Sequence, residues 1–135
     1  MKKEHKKSLI SYRLERANEA LRAAHLLLEN NMLTSAMNRI YYSMFYAVQS
    51  LLVLYDVSFS KHTHVKGYFT KELINKGIFS IELGKLFNKI FEYRQKFDYV
   101  DLITPDQNII KDNIKHAKKI INELTEYIKR QEDNL

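Results

Sequence analysis

Apolar residues recur at a helical period along almost the whole chain. Within residues 8–30, Ile10, Leu14, Ala17, Leu21, Ala24 and Leu28 share one face, and Arg13, Glu15, Arg16, Glu19 and Arg22 lie elsewhere. Asn30-Asn31 supplies a stop. A second helix starts at Thr34 or Ser35, either of which can cap it, and runs to about Tyr55. A shorter third helix covers residues 63–76 and ends at Gly77, which suits the left-handed position beyond a helix. Ser80 caps a fourth helix, with Glu82 in its positive first turn. Thr104, Pro105 and Gln107 read as the cap, first-turn proline and capping-box partner of a fifth. That helix aligns Ile110, Ile114, Ala117, Ile121, Leu124 and Ile128. Short loops between long amphipathic helices favour antiparallel neighbours. The expected fold is all-α, an up-and-down antiparallel bundle of four long helices plus one short helix.

Composition narrows the class. Three Gly and one Pro in 135 residues are too few for the many tight turns of a β-sandwich or barrel. Cysteine is absent, which removes thiol catalysis and disulfides and fits a reducing, cytoplasmic setting. No apolar run approaches a membrane span, and the opening MKKEHKK has no hydrophobic segment behind its charges. The expectation is therefore one cytoplasmic, membrane-free domain over residues 8–135, preceded by a basic, flexible, solvated tail over residues 1–7. That tail holds four Lys and one Glu, and accounts for half of the net charge of +6. The fifth helix balances its charges, and no basic stripe with interleaved aromatics stands out along the chain.

Two segments break the amphipathic pattern. In the fourth helix, Leu83, Leu86, Phe87, Ile90 and Phe97 form one stripe, and Arg94 falls near its middle. A guanidinium there is costly unless paired, and Asp98, one turn on, is the obvious partner. The pair reads either as a structural staple or as a guanidinium held to bind phosphate. The second helix is too apolar for a surface helix, and its opposite face carries Asn38, Arg39, Tyr42, Ser43, Tyr46, Gln49 and Ser50. Amides and phenols suit a contact surface, so Tyr42, Tyr46 and Gln49 are expected at a dimer interface, with Asn38 and Arg39 lining a site beside it.

Weaker signals lie at the third helix, where Lys61 and His62 precede Thr63, His64 and Lys66. Two His without a carboxylate at ligand spacing do not make a metal site, so no metal and no cofactor is expected; an anion near Lys61 and His62 suits the segment better. The chain has no P-loop, nucleophile elbow or HExxH motif.

The run Ala36-Met37-Asn38-Arg39-Ile40-Tyr41-Tyr42-Ser43-Met44-Phe45, then Lys61-His62, then Arg94-Gln95-Lys96-Phe97-Asp98-Tyr99, resembles the HEPN family over nearly the whole chain. It looks like the standalone prokaryotic branch that often pairs with a minimal nucleotidyltransferase. The resemblance implies a helical bundle, a homodimer and a cleft near the dimer interface. Many members carry Arg, four to six residues, then His, and act as metal-independent ribonucleases and toxins. Arg94 matches the Arg, whereas Tyr99, Val100 and Asp101 occupy the positions open to the His. The expectation is a binding module of a toxin–antitoxin type system, in which Asn38, Arg39, Lys61, His62 and Arg94 contact nucleotide or single-stranded RNA phosphate. The alternatives are a ribonuclease using Arg94, Asp98 and Tyr99 with atypical acid–base chemistry, and a structural dimer stapled by Arg94–Asp98.

Overall fold

A computed structural model describes residues 2–134. The first helix, α1, runs Lys3–Glu29, and the second, α2, Leu33–Leu54. Asn31 takes the left-handed conformation (φ 55°) between them, as the Asn30-Asn31 stop requires. The expected tail is a correction: α1 begins at Lys3, and Lys6 is buried, its Nζ 2.9 Å from Asp56 Oδ2. Counting charges could not show that one of those lysines has a partner fifty residues away. Three contacts fix the antiparallel register of α1 on α2, namely Lys6 to Asp56, Ser50 Oγ to the Ile10 carbonyl at 3.2 Å, and Arg16 to the Tyr46 hydroxyl at 3.2 Å.

α2 begins at Leu33, so Thr34 and Ser35 lie within its first turn and do not cap it. It packs on α1, on α4 (Ile81–Tyr99) and on α5 (Gln107–Glu132). Three packed neighbours explain why it is so apolar. Ser43 and Ser50, expected on its outer face, are buried, and their hydroxyls donate to the carbonyls of Ile40 and Ile10.

The third element divides in two. A short α3 (His62–Tyr68) continues without a break into a π-helical turn, Phe69–Ile74, and Gly77 (φ 79°) ends the segment as expected. Phe69 stacks on Phe87 of α4, with ring centroids 4.4 Å apart. Gly84 lets Ile74 approach closely, since a Cβ there would meet Ile74 Cγ2 at 3.1 Å. Ser80 caps α4 by accepting from the Leu83 amide at 3.1 Å. For α5 the cap is Asp106, which accepts from the Ile109 amide at 2.8 Å. Gln107 makes no capping box; its side-chain amide donates to Asn31 Oδ1 at 3.1 Å and ties the start of α5 to the α1–α2 turn.

The result is the expected up-and-down helical bundle, all-α among the described residues. No helix among them is long and apolar enough to cross a membrane.

Candidate functional site

The site grows from the point where α2 and α4 cross. Arg94 and Asp98 stand one turn apart on α4, with Arg94 Nε 3.2 Å from Asp98 Oδ2. Their side chains retain only 13% and 18% of their exposure. The N–H of Arg94 is not aimed at that oxygen, so the contact is an ion pair more than a formed hydrogen bond. Three tyrosine rings surround the guanidinium, whose carbon lies 4.7 Å from the Tyr41 centroid, 5.2 Å from Tyr99 and 5.9 Å from Tyr42. Its two terminal nitrogens donate to no group among the described residues.

Asn38 extends the network. Its Nδ2 donates to the same Asp98 Oδ2 at 3.1 Å, and its Oδ1 accepts from Arg39 Nη2 at 2.9 Å, which fixes the amide's orientation. Arg39 also lies 5.1 Å from the Tyr42 ring centroid. Two guanidiniums thus share one carboxylate through one amide, and the cluster keeps a net positive charge. Asn38, Arg39 and Asp98, with Leu27, Thr34 and Ser35, line an open cavity of about 350 Å³.

His62 enters from α3. Its Nδ1 lies 2.7 Å from the Tyr41 hydroxyl, and its ring packs 4.1 Å from that of Phe45. Tyr41 is fully buried, and burial pushes its hydroxyl well above the usual phenol range, so it keeps its proton. The hydroxyl has no other acceptor among the described residues, so it donates to Nδ1; the reverse would strand a buried O–H. The neutral ring then carries its hydrogen on Nε2. Burial, and secondarily the charge of Arg94, hold the imidazole below its ordinary pKa.

The fold therefore brings together Asn38, Arg39, His62, Arg94, Asp98 and Tyr99. Lys61 stays apart as the exposed residue that precedes α3. Tyr42 and Tyr46 lie half-buried on α2, each beside a guanidinium of its own chain, and Gln49 lines a separate cavity of about 140 Å³. Tyr41 is a site residue that the sequence pattern does not reveal. Its position among buried residues of α2 reads as core, and only the His62 and Arg94 contacts show otherwise.

A family model described as the HEPN domain matches residues 10–128. The chain belongs to the HEPN family. Among its relatives, a "UPF0332 protein" of Thermotoga maritima is 41% identical, covering 91% of this chain and 93% of its own length. "Putative toxin MJ0605" of Methanocaldococcus jannaschii is 31% identical, covering 80% of this chain and 87% of its own. "Putative toxin MJ0142" of the same organism is 37% identical over 64% of this chain and 58% of its own.

Proposed function

We propose that this HEPN protein is a homodimeric phosphate-binding module of a toxin–antitoxin type system, in which Arg94 and Arg39 contact nucleotide or RNA phosphate. The observation that carries the reading is the state of Arg94. Its Nε is engaged by Asp98 and its faces by tyrosines, while both terminal nitrogens remain unengaged among the described residues. A guanidinium held in place with its outer fork open is preorganised for bidentate contact with an oxyanion. A purely structural staple uses the fork itself.

The relatives named as toxins support the system-level part. A toxin needs a counterpart that restrains it, and a minimal nucleotidyltransferase fills that role in this reading. Pairing of two copies is supported by Val100, Leu102 and Ile103, exposed aliphatic residues that follow Tyr99 directly. Binding is favoured over cleavage by the tautomer of His62. With Nδ1 taken by Tyr41, the neutral ring keeps an N–H at Nε2 and has no free lone pair to accept a proton from a 2′-hydroxyl.

The test is equilibrium titration of the dinucleotide UpU into wild type, Arg94→Ala and Arg94→Lys. Retained folding with lost affinity in the Ala variant, and partial affinity in the Lys variant, supports the module. Equal affinity in all three overturns it.

A further inference from the structure

A second recess shares no lining residue with the cleft. Leu52, Val53, Val57, Phe59 and Val65 wall a cavity of about 140 Å³ where α2, the connection that follows it and α3 meet. An apolar cavity of about 150 Å³ holds one benzene ring. This one therefore takes a phenyl ring or a branched alkyl group and little more. Phe59 is exposed and Val57 half-buried, so the cavity is not sealed from solvent.

Apart from the Ser58 hydroxyl, the polar groups that line it are Arg13 of α1 and Gln49 of α2, both half-buried. The register that sets Ser50 against Ile10 and Tyr46 against Arg16 brings Arg13 level with Gln49. Neither side chain has a hydrogen bond, ion pair or ring contact among the described residues. Three other arginines differ in this respect. Arg16, Arg39 and Arg94 each lie over a tyrosine ring and are also held by a hydroxyl, an amide or a carboxylate. No acidic residue lines the cavity among the described residues, and Asp56, the acid just beyond α2, is taken by Lys6.

One unpaired guanidinium and one unpaired amide beside a pocket of ring size define a ligand of one charge. A guanidinium fork matches a carboxylate in two parallel hydrogen bonds, and a neighbouring amide can donate a third. The aliphatic walls reward an apolar body and give nothing to a hydrated inorganic anion. A polyanion needs several cations in a row, and this cavity is lined by one.

We propose that this cavity binds a small free monocarboxylic acid with a phenyl or branched alkyl body, its carboxylate on Arg13 and Gln49 and its body against Val53, Val57 and Val65. The site is independent of the phosphate-binding reading of the cleft. Its residues come from two helices, a connection and a third helix, so no stretch of sequence displays it.

The experiment titrates phenylacetate, and separately its neutral isostere phenylacetamide, into the full chain with labelled valine methyl groups. Wild type, Arg13→Gln and Val57→Phe are compared, each checked for folding by circular dichroism. Phenylacetate should shift the Val53, Val57 and Val65 methyl signals saturably, with a Kd of about 1 mM or below, the range open to roughly ten non-hydrogen atoms. Phenylacetamide should bind at least about tenfold more weakly. Arg13→Gln should bring the acid down to the level of the amide and leave the amide unchanged, whereas Val57→Phe, which fills the cavity, should abolish both. The proposal is overturned if those methyl signals do not move, if acid and amide bind wild type equally, or if either variant binds phenylacetate as wild type does. Acetyl-Gly-Gly-Leu presents the same carboxylate on a chain end. Weaker binding than phenylacetate supports a free acid as occupant, and tighter binding overturns that part in favour of a peptide terminus.

Discussion

The Tyr41 hydroxyl sits 2.7 Å from His62 Nδ1 and joins the centre of the bundle to the start of α3. This bond sets the ring's tautomer, so nitrogen-15 correlation spectra of the native protein should show His62 protonated at Nε2. Tyr41→Phe removes the donor and leaves Nδ1 unpaired in a half-buried setting, at a cost of about 1–2 kcal/mol in urea unfolding. An Nδ1–H signal would contradict the assignment.

Stability should fall on mild acidification. Burial, and secondarily Arg94, hold His62 below its ordinary pKa; burial, then the charge of Lys89, does the same to His116, whose Nδ1 has no partner among the described residues. A histidine with a depressed folded pKa contributes fully above its unfolded value of about 6.5. Below that pH the unfolded chain takes up the proton first, and stability is lost until the folded pKa is passed. Urea midpoints between pH 7 and 5 should drop for wild type and drop less for His62→Phe. An identical decline in both would remove His62 from the account.

Asn38→Asp is nearly isosteric and places a second carboxylate where the amide Nδ2 lies 3.1 Å from Asp98 Oδ2. Two like charges at that distance raise one pKa and neutralise the guanidiniums the cleft needs. UpU affinity at neutral pH should fall at least about tenfold. Unchanged affinity would mean that the cluster's net charge plays no part.

Two glycines should respond to alanine with opposite signs. Gly77 is left-handed (φ 79°) with open space around a new Cβ, so Gly77→Ala meets only backbone strain, about 1 kcal/mol of destabilisation. Gly67 lies in α3 with equal room, so Gly67→Ala should stabilise by roughly 0.5–1 kcal/mol. Thermal unfolding of both variants checks the pair.

Local chemistry made much of this architecture legible. Apolar periodicity located the five helical stretches, Ser80 and Gly77 stand where cap and stop chemistry put them, and the Arg94–Asp98 pair follows from i,i+4 geometry. Relations between distant residues were not legible. Lys6 reads as tail in any local window because its partner, Asp56, lies fifty positions on, and Asp106 takes the cap expected of Thr104 because the helix starts at Gln107. The apolar excess of α2 came from three packed neighbours, a fact of topology and not of its own sequence. Arg16 and Tyr46 are thirty positions apart, so their stacking leaves no trace in any local window.

The central claim concerns two nitrogen atoms, Nη1 and Nη2 of Arg94, and arginine side-chain nitrogen-15 spectroscopy reads them directly. On titration with UpU, the Arg94 Nη resonances should shift and slow their exchange with water, while Nε, held against Asp98, moves little. Arg94 Nη signals that stay unchanged at saturating UpU would contradict the account.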